Sequence, residues 1–476
     1  MKRVITLWLV AMLLLVSCGQ DGAGNAGTEE ETTVQTEAVT DETKLMPNLP
    51  DTKYDGAEFR FFHYDNSTNN FDIIAEEMTG EALNDAVYQR NLDTEEKFDI
   101  QLNIHLATGD LNGDTAISTI TAGDDAYESL VFYGAQFSNI VGRGLVHDLS
   151  AMPHIDLSMP WWNQNFIENT TLNGKLYSLQ GDISHILLED LKFLVFNRDT
   201  FEQIGLTPPY EDVRNGTWTF DMFQTMVEGY TADTNGDGTI NEDDQFGYLG
   251  HEWIMPMAFL VTNDVKICLN KDGLPQLDLN IEKITSVWEG YMNLVEGSGY
   301  LPAMSVTDSI GVDMFMENRI LFMDSTMRSI RFSLRDMDAD FGVAPFPKFD
   351  ESMDGYRCSV GGGANHFMVP ITTTRTDMVS SVLEYMAYYG YETITPVYYD
   401  EVLGQKLMRD QDSRDMLAVL RESLTFDFGE NTSTGLMLGH ELLYNKKNPA
   451  TYLASNQTKL ETELHNLLVS VGAIEE

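Results

Sequence analysis

The sequence predicts an α/β fold built as two large lobes, and three observations carry that expectation. Hydrophobic spacing switches repeatedly between a period of two and a period of 3.6, the mark of strands interleaved with helices. The 476 residues are 43% hydrophobic and 11% aromatic, enough to bury a substantial core. At roughly 150 residues per domain the length allows about three units, and two large lobes satisfy the same prior.

In chain order, Glu58 to Phe62 reads as a strand and Glu81 to Phe98 as a helix. Ile100, Leu102, Ile104 and Leu106 then alternate as a half-buried strand, completing a β-α-β unit. Ser129 to Tyr133 is an apolar strand running into Gly134. Asn173-Gly174 between short β-like runs signals a type I′ hairpin, and Phe193 to Phe196 is a wholly apolar strand. Val379, Val382, Leu383 and Met386 fall at i, i+3, i+4 and i+7, and Leu460, Leu464, Leu467 and Leu468 make a similar helical stripe. No repeat of 20 to 50 residues is visible. In folds of this class ligands bind at strand ends.

The N-terminus is read separately. Lys2 and Arg3 precede a 13-residue apolar run, Val4 to Val16, the layout of an export signal and too short for an ordinary membrane span. Leu15-Val16-Ser17-Cys18-Gly19 resembles the bacterial lipobox, so residues 1–17 are expected to be a signal peptide and Cys18 a lipidated anchor. Residues 18–52, rich in Gly, Thr and acidic side chains, read as a flexible tether that would hold the folded body roughly 30 Å from a membrane. Folding should begin near Lys53.

Twenty-nine Lys and Arg against 75 Asp and Glu give a net charge of −46, which excludes nucleic-acid binding and polybasic membrane binding. Beyond Cys18 the cysteines are Cys268 and Cys358, expected to be free and buried. The chain lacks a phosphate loop, a dinucleotide fingerprint, a nucleophile elbow and an H-E-x-x-H motif. Glu189-Asp190 is no argument for a glycosidase pair, because with 75 carboxylates neighbours of this kind arise by chance. One motif is specific. Asp233, Asn235, Asp237 and Asn241 place oxygens at positions 1, 3, 5 and 9 of an EF-hand-like loop over 233–244, with the Thr239 carbonyl at 7 and Asp244 at 12. Gly238 sits at the sharp turn and Ile240 is expected to pin the loop to a core. A structural calcium ion is the expected cofactor.

The lipobox, the acidic tether and a set of segments in order then carry a resemblance. The segments are Leu83-Asn-Asp-Ala-Val-Tyr-Gln-Arg-Asn91, Trp161-Trp162-Asn163, Asn173-Gly-Lys-Leu-Tyr177, Phe196-Asn-Arg198, Gly216-Thr-Trp-Thr-Phe220, Asp233 to Gly247, Gly342-Val-Ala-Pro-Phe-Pro347 and Lys406-Leu-Met-Arg-Asp410. Over nearly its whole length the chain resembles the bacterial extracellular solute-binding lipoproteins of ABC importers, carbohydrate type. The resemblance implies a two-lobed periplasmic-binding-protein-like fold of type II, with residues 53–188 and 359–415 in one lobe and 189–358 and 416–476 in the other. Crossings are expected near Asp182–Phe193, Tyr356–Gly363 and residue 415. It also implies a non-enzymatic monomer on the outer face of the cell membrane that captures an oligosaccharide and delivers it to a permease. Two other readings stay open: a secreted glycan-degrading enzyme, and a binding protein that feeds a sensor kinase.

Sugar sites need aromatics for ring faces and amides, carboxylates or arginines for hydroxyls. At the expected strand ends and crossings the candidates are Tyr64, Tyr133, Gln136, Asp182, His185, Trp253, Asp324 and Arg328. Tyr133 and Trp253 are the stacking platforms, and Arg328 admits a carboxylate on an acidic sugar. Trp161, Trp162, Trp218 and Trp288 are assigned to the core, and Gly361-Gly-Gly363 to a hinge or a close approach of ligand.

Overall fold

A computed structural model describes residues 45–65, 72–252, 254–303, 309–334, 337, 340–360, 363–403 and 411–475. The expected signal peptide, Cys18, Trp253, Gly361, Gly362 and the 406–410 segment lie outside these. Met46–Glu476 forms one compact unit, in which the two-lobed α/β architecture is built on two sheets.

In the first sheet, β1 (Ala57–Tyr64) runs parallel to β2 (Ile100–Ala107) and to β3 (Ser129–Tyr133), and β11 (Asn365–Met368) closes the order β11-β3-β1-β2 antiparallel to β3. The period of two explains why β1 is central: Phe59 and Phe61 enter one core cluster and Phe62 and Tyr64 the other, so both faces are covered. Between β1 and β2, helix α1 (Ala82–Phe98) starts at Glu81, whose Oε2 accepts the Asn84 N–H at 2.8 Å. It ends at Asp99, in the left-handed region at φ 50°.

The second sheet has the order β10-β4-β9-β5-β8. Its strands are β4 (Lys192–Asn197), β5 (Phe246–His251), β8 (Tyr300–Ala303), β9 (Ile320–Thr326) and β10 (Phe341–Ala344). β5 is parallel to β8 and β9, while β4 is antiparallel to β9 and β10. A small hairpin, β6 (Cys268–Lys271) with β7 (Leu274–Leu277), turns at Asp272-Gly273, both at positive φ. Asn173-Gly174 is the expected hairpin turn: both residues have positive φ and Leu172 bridges Lys175.

The antiparallel member of each sheet follows a crossing. The chain leaves the first sheet after Leu179, which bridges Phe367, and enters β4; it returns from β10 to β11. The C-terminal ends of β1 and β3 thus lie beside the start of β11, and those of β5 and β9 on the same sheet edge as the start of β4. The crossings are stitched together: Lys192 N–H donates to Ser359 O at 3.2 Å and Cys358 bridges Leu424. The helix Thr376–Tyr389 packs on α1, and the helix Gln411–Glu422 packs on β10.

A buried polar hub fastens the first lobe to the crossing. Asp72 accepts from Ser184 Oγ (2.8 Å) and Asn365 Nδ2 (2.6 Å), and its Oδ1 lies 3.1 Å from His63 Nε2. Arg90, fully buried, donates to the carbonyls of Asp72 (2.7 Å) and Ile183 (2.8 Å). Trp161, Trp162 and Trp218 are core residues as expected, and Trp288 is partly buried. The Trp161 and Trp162 indoles donate to Glu384 at 3.0 and 2.8 Å, and burial pushes the pKa of this carboxyl up to about 7. Cys268 and Cys358 are buried and unbridged. In the helix Pro449–Ser470 the leucine stripe at 460, 464, 467 and 468 is buried. Among the described residues no helix is long and apolar enough to cross a membrane.

Candidate functional site

The strand ends of the first sheet place two tyrosines side by side, with the rings of Tyr64 and Tyr133 6.1 Å apart. Tyr64 is fully buried and its hydroxyl donates to Asn365 Oδ1 at 2.8 Å, so it supports the strand end from beneath. Tyr133, the last residue of β3, is half-buried, and burial together with the nearby Asp190 carboxylate raises its hydroxyl pKa. Gln136 ends the turn that follows β3 and donates to Asn112 Oδ1 at 3.3 Å.

On the second lobe, β9 runs into a short helical turn, Met327–Ser329, capped by Thr326. This junction places Asp324 and Arg328. Asp324 is 1% exposed; its Oδ1 accepts the His251 N–H at 2.8 Å, while Oδ2 has no hydrogen-bond partner among the described residues. Burial pushes its pKa up to about 7.

Arg328 reaches the crossing between the lobes, where its guanidinium lies 3.3 Å from Glu189 Oε2 and 3.5 Å from Asp190 Oδ1. One helical turn later, Arg331 donates to Glu189 Oε1 at 2.7 Å and lies 3.3 Å from Glu81 Oε1 at the start of α1. Two arginines of the second lobe are thereby tied through one fully buried glutamate to a carboxylate of the first lobe. Lys192 stands on the same crossing, faced by Asp190 and Glu430, and burial lowers its pKa. Burial likewise pushes Glu430 up to about 8.

His185 and Asp182 lie on the same segment in different surroundings. His185 is 2% exposed, its ring stacks with Tyr398 at 6.2 Å, and neither ring nitrogen has a hydrogen-bond partner among the described residues. Burial, reinforced by Arg331, Arg90 and Arg328, drives its pKa down to about 3, so the imidazole is neutral. Asp182 accepts from Thr395 Oγ1 at 2.6 Å, and its pKa is pushed up to about 6 by burial. It borders a small cavity of about 60 Å³ that Arg421 also lines.

The structure therefore brings Tyr64, Tyr133 and Arg328 to one crossing, with Asp324 at the end of the strand that carries Arg328; Gln136 faces Asn112, and Asp182 faces Thr395. Sequence reasoning missed Arg331, Glu81 and Tyr398. Arg331 had a signal, since a residue at i+3 from Arg328 shares its helical face. Gly363 makes a close approach, but to protein: a Cβ there would lie 2.2 Å from Asp190 Oδ2. A separate groove of about 430 Å³, walled by Asn165, Asn169, Asp264, Arg357 and Phe426, shares no residue with the arginine cluster.

The 233–244 loop is closed by its own side chains. Asp233 accepts the N–H groups of Gly236 (2.6 Å) and Gly238 (2.8 Å), Asn235 that of Asp237 (2.8 Å), and Asp237 that of Thr239 (2.7 Å). Asp244, fully buried, accepts from Thr234 N–H at 2.8 Å and Asn241 N–H at 3.1 Å. Burial alone would raise the Asp244 pKa, but these backbone donors outweigh it and hold it low. Ile240 does not pin the loop to a core: it is 38% exposed, because the loop bonds to itself and needs no apolar anchor. Among the described residues no group of three or more His, Cys, Asp or Glu is arranged to hold a metal ion.

No family model and no curated protein sequence matches the chain. Solved structures match it along almost their whole lengths. The ABC substrate-binding protein Lmo0181 from Listeria monocytogenes, in complex with cycloalternan, is 15% identical, with 88% of this chain and 100% of that one covered at a TM-score of 0.53. The GacH receptor of Streptomyces glaucescens, solved unliganded and with acarbose, is 12% identical over 86% and 99% at 0.54. UgpB from Mycobacterium tuberculosis, in complex with glycerophosphocholine, is 13% identical over 87% and 99% at 0.53. The chain thus has the two-lobed α/β fold of solute-binding proteins.

Proposed function

We propose that this chain is a solute-binding protein of an ABC importer that captures a carbohydrate between its lobes and presents it to a membrane permease, without catalysis of its own. The observation that carries the reading is the crossing itself: Tyr133 from the first sheet and Arg328 from the second both lie within reach of Asp190. An aromatic face beside a fixed ion-pair network supplies stacking and hydroxyl recognition from both lobes at once. Ligand contact from both sides favours closure, because only the closed state collects both sets of interactions. Trp253, two residues beyond the end of β5 in the sequence, is the proposed platform of the second lobe.

The neighbours with sugars in their complexes support the carbohydrate class. The N-terminal layout supports export and anchoring at Cys18 on the outer face of the cell membrane. Calcium at Asp233, Asn235, Asp237, Thr239, Asn241 and Asp244 belongs to the same reading as a brace for the surface loop. Thermal unfolding of the lipid-free folded body against a panel of oligosaccharides, amino acids and peptides tests it. A glycan present at about 100 times its Kd should add roughly 2.7 kcal/mol of stability. Stabilisation by peptides alone would refute the carbohydrate assignment, and glycan cleavage by the purified protein would move it to the enzyme reading.

A further inference from the structure

Arg328, expected from the sequence to admit an acidic sugar, is not available for one. Its guanidinium already faces two carboxylates, Glu189 at 3.3 Å and Asp190 at 3.5 Å. Arg331, the other cation of this helical turn, is taken up by Glu189 at 2.7 Å and Glu81 at 3.3 Å. Three carboxylates therefore surround the two arginines, and Lys192, on the same crossing, is faced in turn by Asp190 and Glu430. Glu189 is fully buried, so it cannot swing into solvent to release an arginine. Asp190, Arg328 and Arg331 each keep 17% of their side-chain surface exposed and Glu81 keeps 47%, so an arriving ligand meets each guanidinium with a carboxylate beside it.

We infer that the cleft selects a glycan without carboxylate, sulfate or phosphate groups, either neutral or bearing an amine. This inference rests on the carbohydrate reading. An anionic substituent at the Asp190–Arg328 pair meets a carboxylate for every guanidinium it reaches, and like charges held at an interface cost several kcal/mol. A hydroxyl can donate to Asp190 and accept from Arg328 with no change in charge, and an amine adds attraction to Asp190. The net charge of −46 acts in the same direction at long range, slowing the approach of polyanionic chains at low salt.

The test is titration calorimetry of the folded body with three glycan panels of matched length: neutral hexose oligomers, oligomers with free amines, and oligomers of uronic acids. At least one neutral or aminated glycan should bind, with its uronate counterpart weaker by roughly 100-fold or more. Asp190→Asn should narrow that gap at least tenfold by giving Arg328 back part of its charge. A uronate that binds the unmodified protein as tightly as its neutral counterpart overturns the inference and leaves the carbohydrate reading standing. If no glycan of any charge binds, the carbohydrate reading falls and the inference with it. Should Asp190→Asn fail to fold, the comparison on the unmodified protein still decides.

Discussion

Asp72 shows how single residues hold the crossing in place. It is buried, yet His63, Asn365 and Ser184 together overcome the desolvation that would raise its pKa and bring it down to about 2 from an ordinary 3.8. A carboxyl whose native pKa is depressed contributes stability that is complete above its unfolded value and fades as pH falls through the native one. Asp72→Asn should therefore cost about 3–5 kcal/mol near neutral pH, because an amide removes the negative charge that faces His63 and the fully buried Arg90. The deficit should shrink between about pH 4 and pH 2, where the unmodified protein also loses its charge. Denaturant titrations at both ends of that window check it, and a deficit that does not change with pH would assign the cost to shape alone. None of these partners was visible in the sequence: Asp72 meets Asn365 across 293 residues, and Glu384 meets Trp162 across 222. What was visible was the residue type, so the paired tryptophans were rightly placed in the core while the acid that receives their N–H groups was not found.

Elements were legible where burial is one-sided and regular. β2 and the helix Pro449–Ser470 follow their hydrophobic periods because each has one face on the core; the helix Thr376–Tyr389 is buried on nearly every side, and its apolar stripe is only the part of that burial the sequence marks. β5 gave no such signal. It holds Gly247 and Gly250, poor strand formers, and a Cβ at Gly247 would sit 2.1 Å from the Val227 carbonyl of the covering helix. The candidate site was legible at the strand-to-helix junction of β9, but at the expected crossing Glu189 reads as a weaker cleft acceptor than Asp182, with nothing in the sequence to pair it with an arginine. Only the fold brings it between Arg328 and Arg331. The start of α1 makes this testable. Glu81 uses Oε2 to cap the helix and Oε1 to face Arg331, and it is 47% exposed. Glu81→Ala should cost about 1 kcal/mol, the ordinary loss of an N-cap. Arg331→Ala leaves Glu189 buried with less positive charge and should cost about 3–5 kcal/mol. Equal losses in urea unfolding would show that Glu189 is sufficiently served by Arg328.

At the scale of the molecule, the calcium proposal and the binding proposal make separate predictions. The 233–244 loop lies between a helix and β5, so a cation there would brace the second lobe without touching the crossing. Excess chelator should lower the melting temperature and leave glycan affinity unchanged; an unaltered melting curve together with no metal by elemental analysis would remove calcium. The binding proposal requires the two lobes to act together. If Tyr133 and Trp253 stack on one glycan from opposite lobes, each change to Ala should weaken affinity by roughly 1–3 kcal/mol with the fold intact. Closure collects both contacts at once, so losing the first platform lowers the population in which the second is used. The double variant should then lose less than the sum of the single losses, the mark of coupled sites. Small-angle scattering supplies the structural half: saturating glycan should reduce the radius of gyration of the unmodified protein, and the double variant should keep its unliganded value. Strictly additive losses with compaction preserved would place the platforms outside the closing interface and would leave closure to the Arg331–Glu81 pair and its neighbours on the crossing.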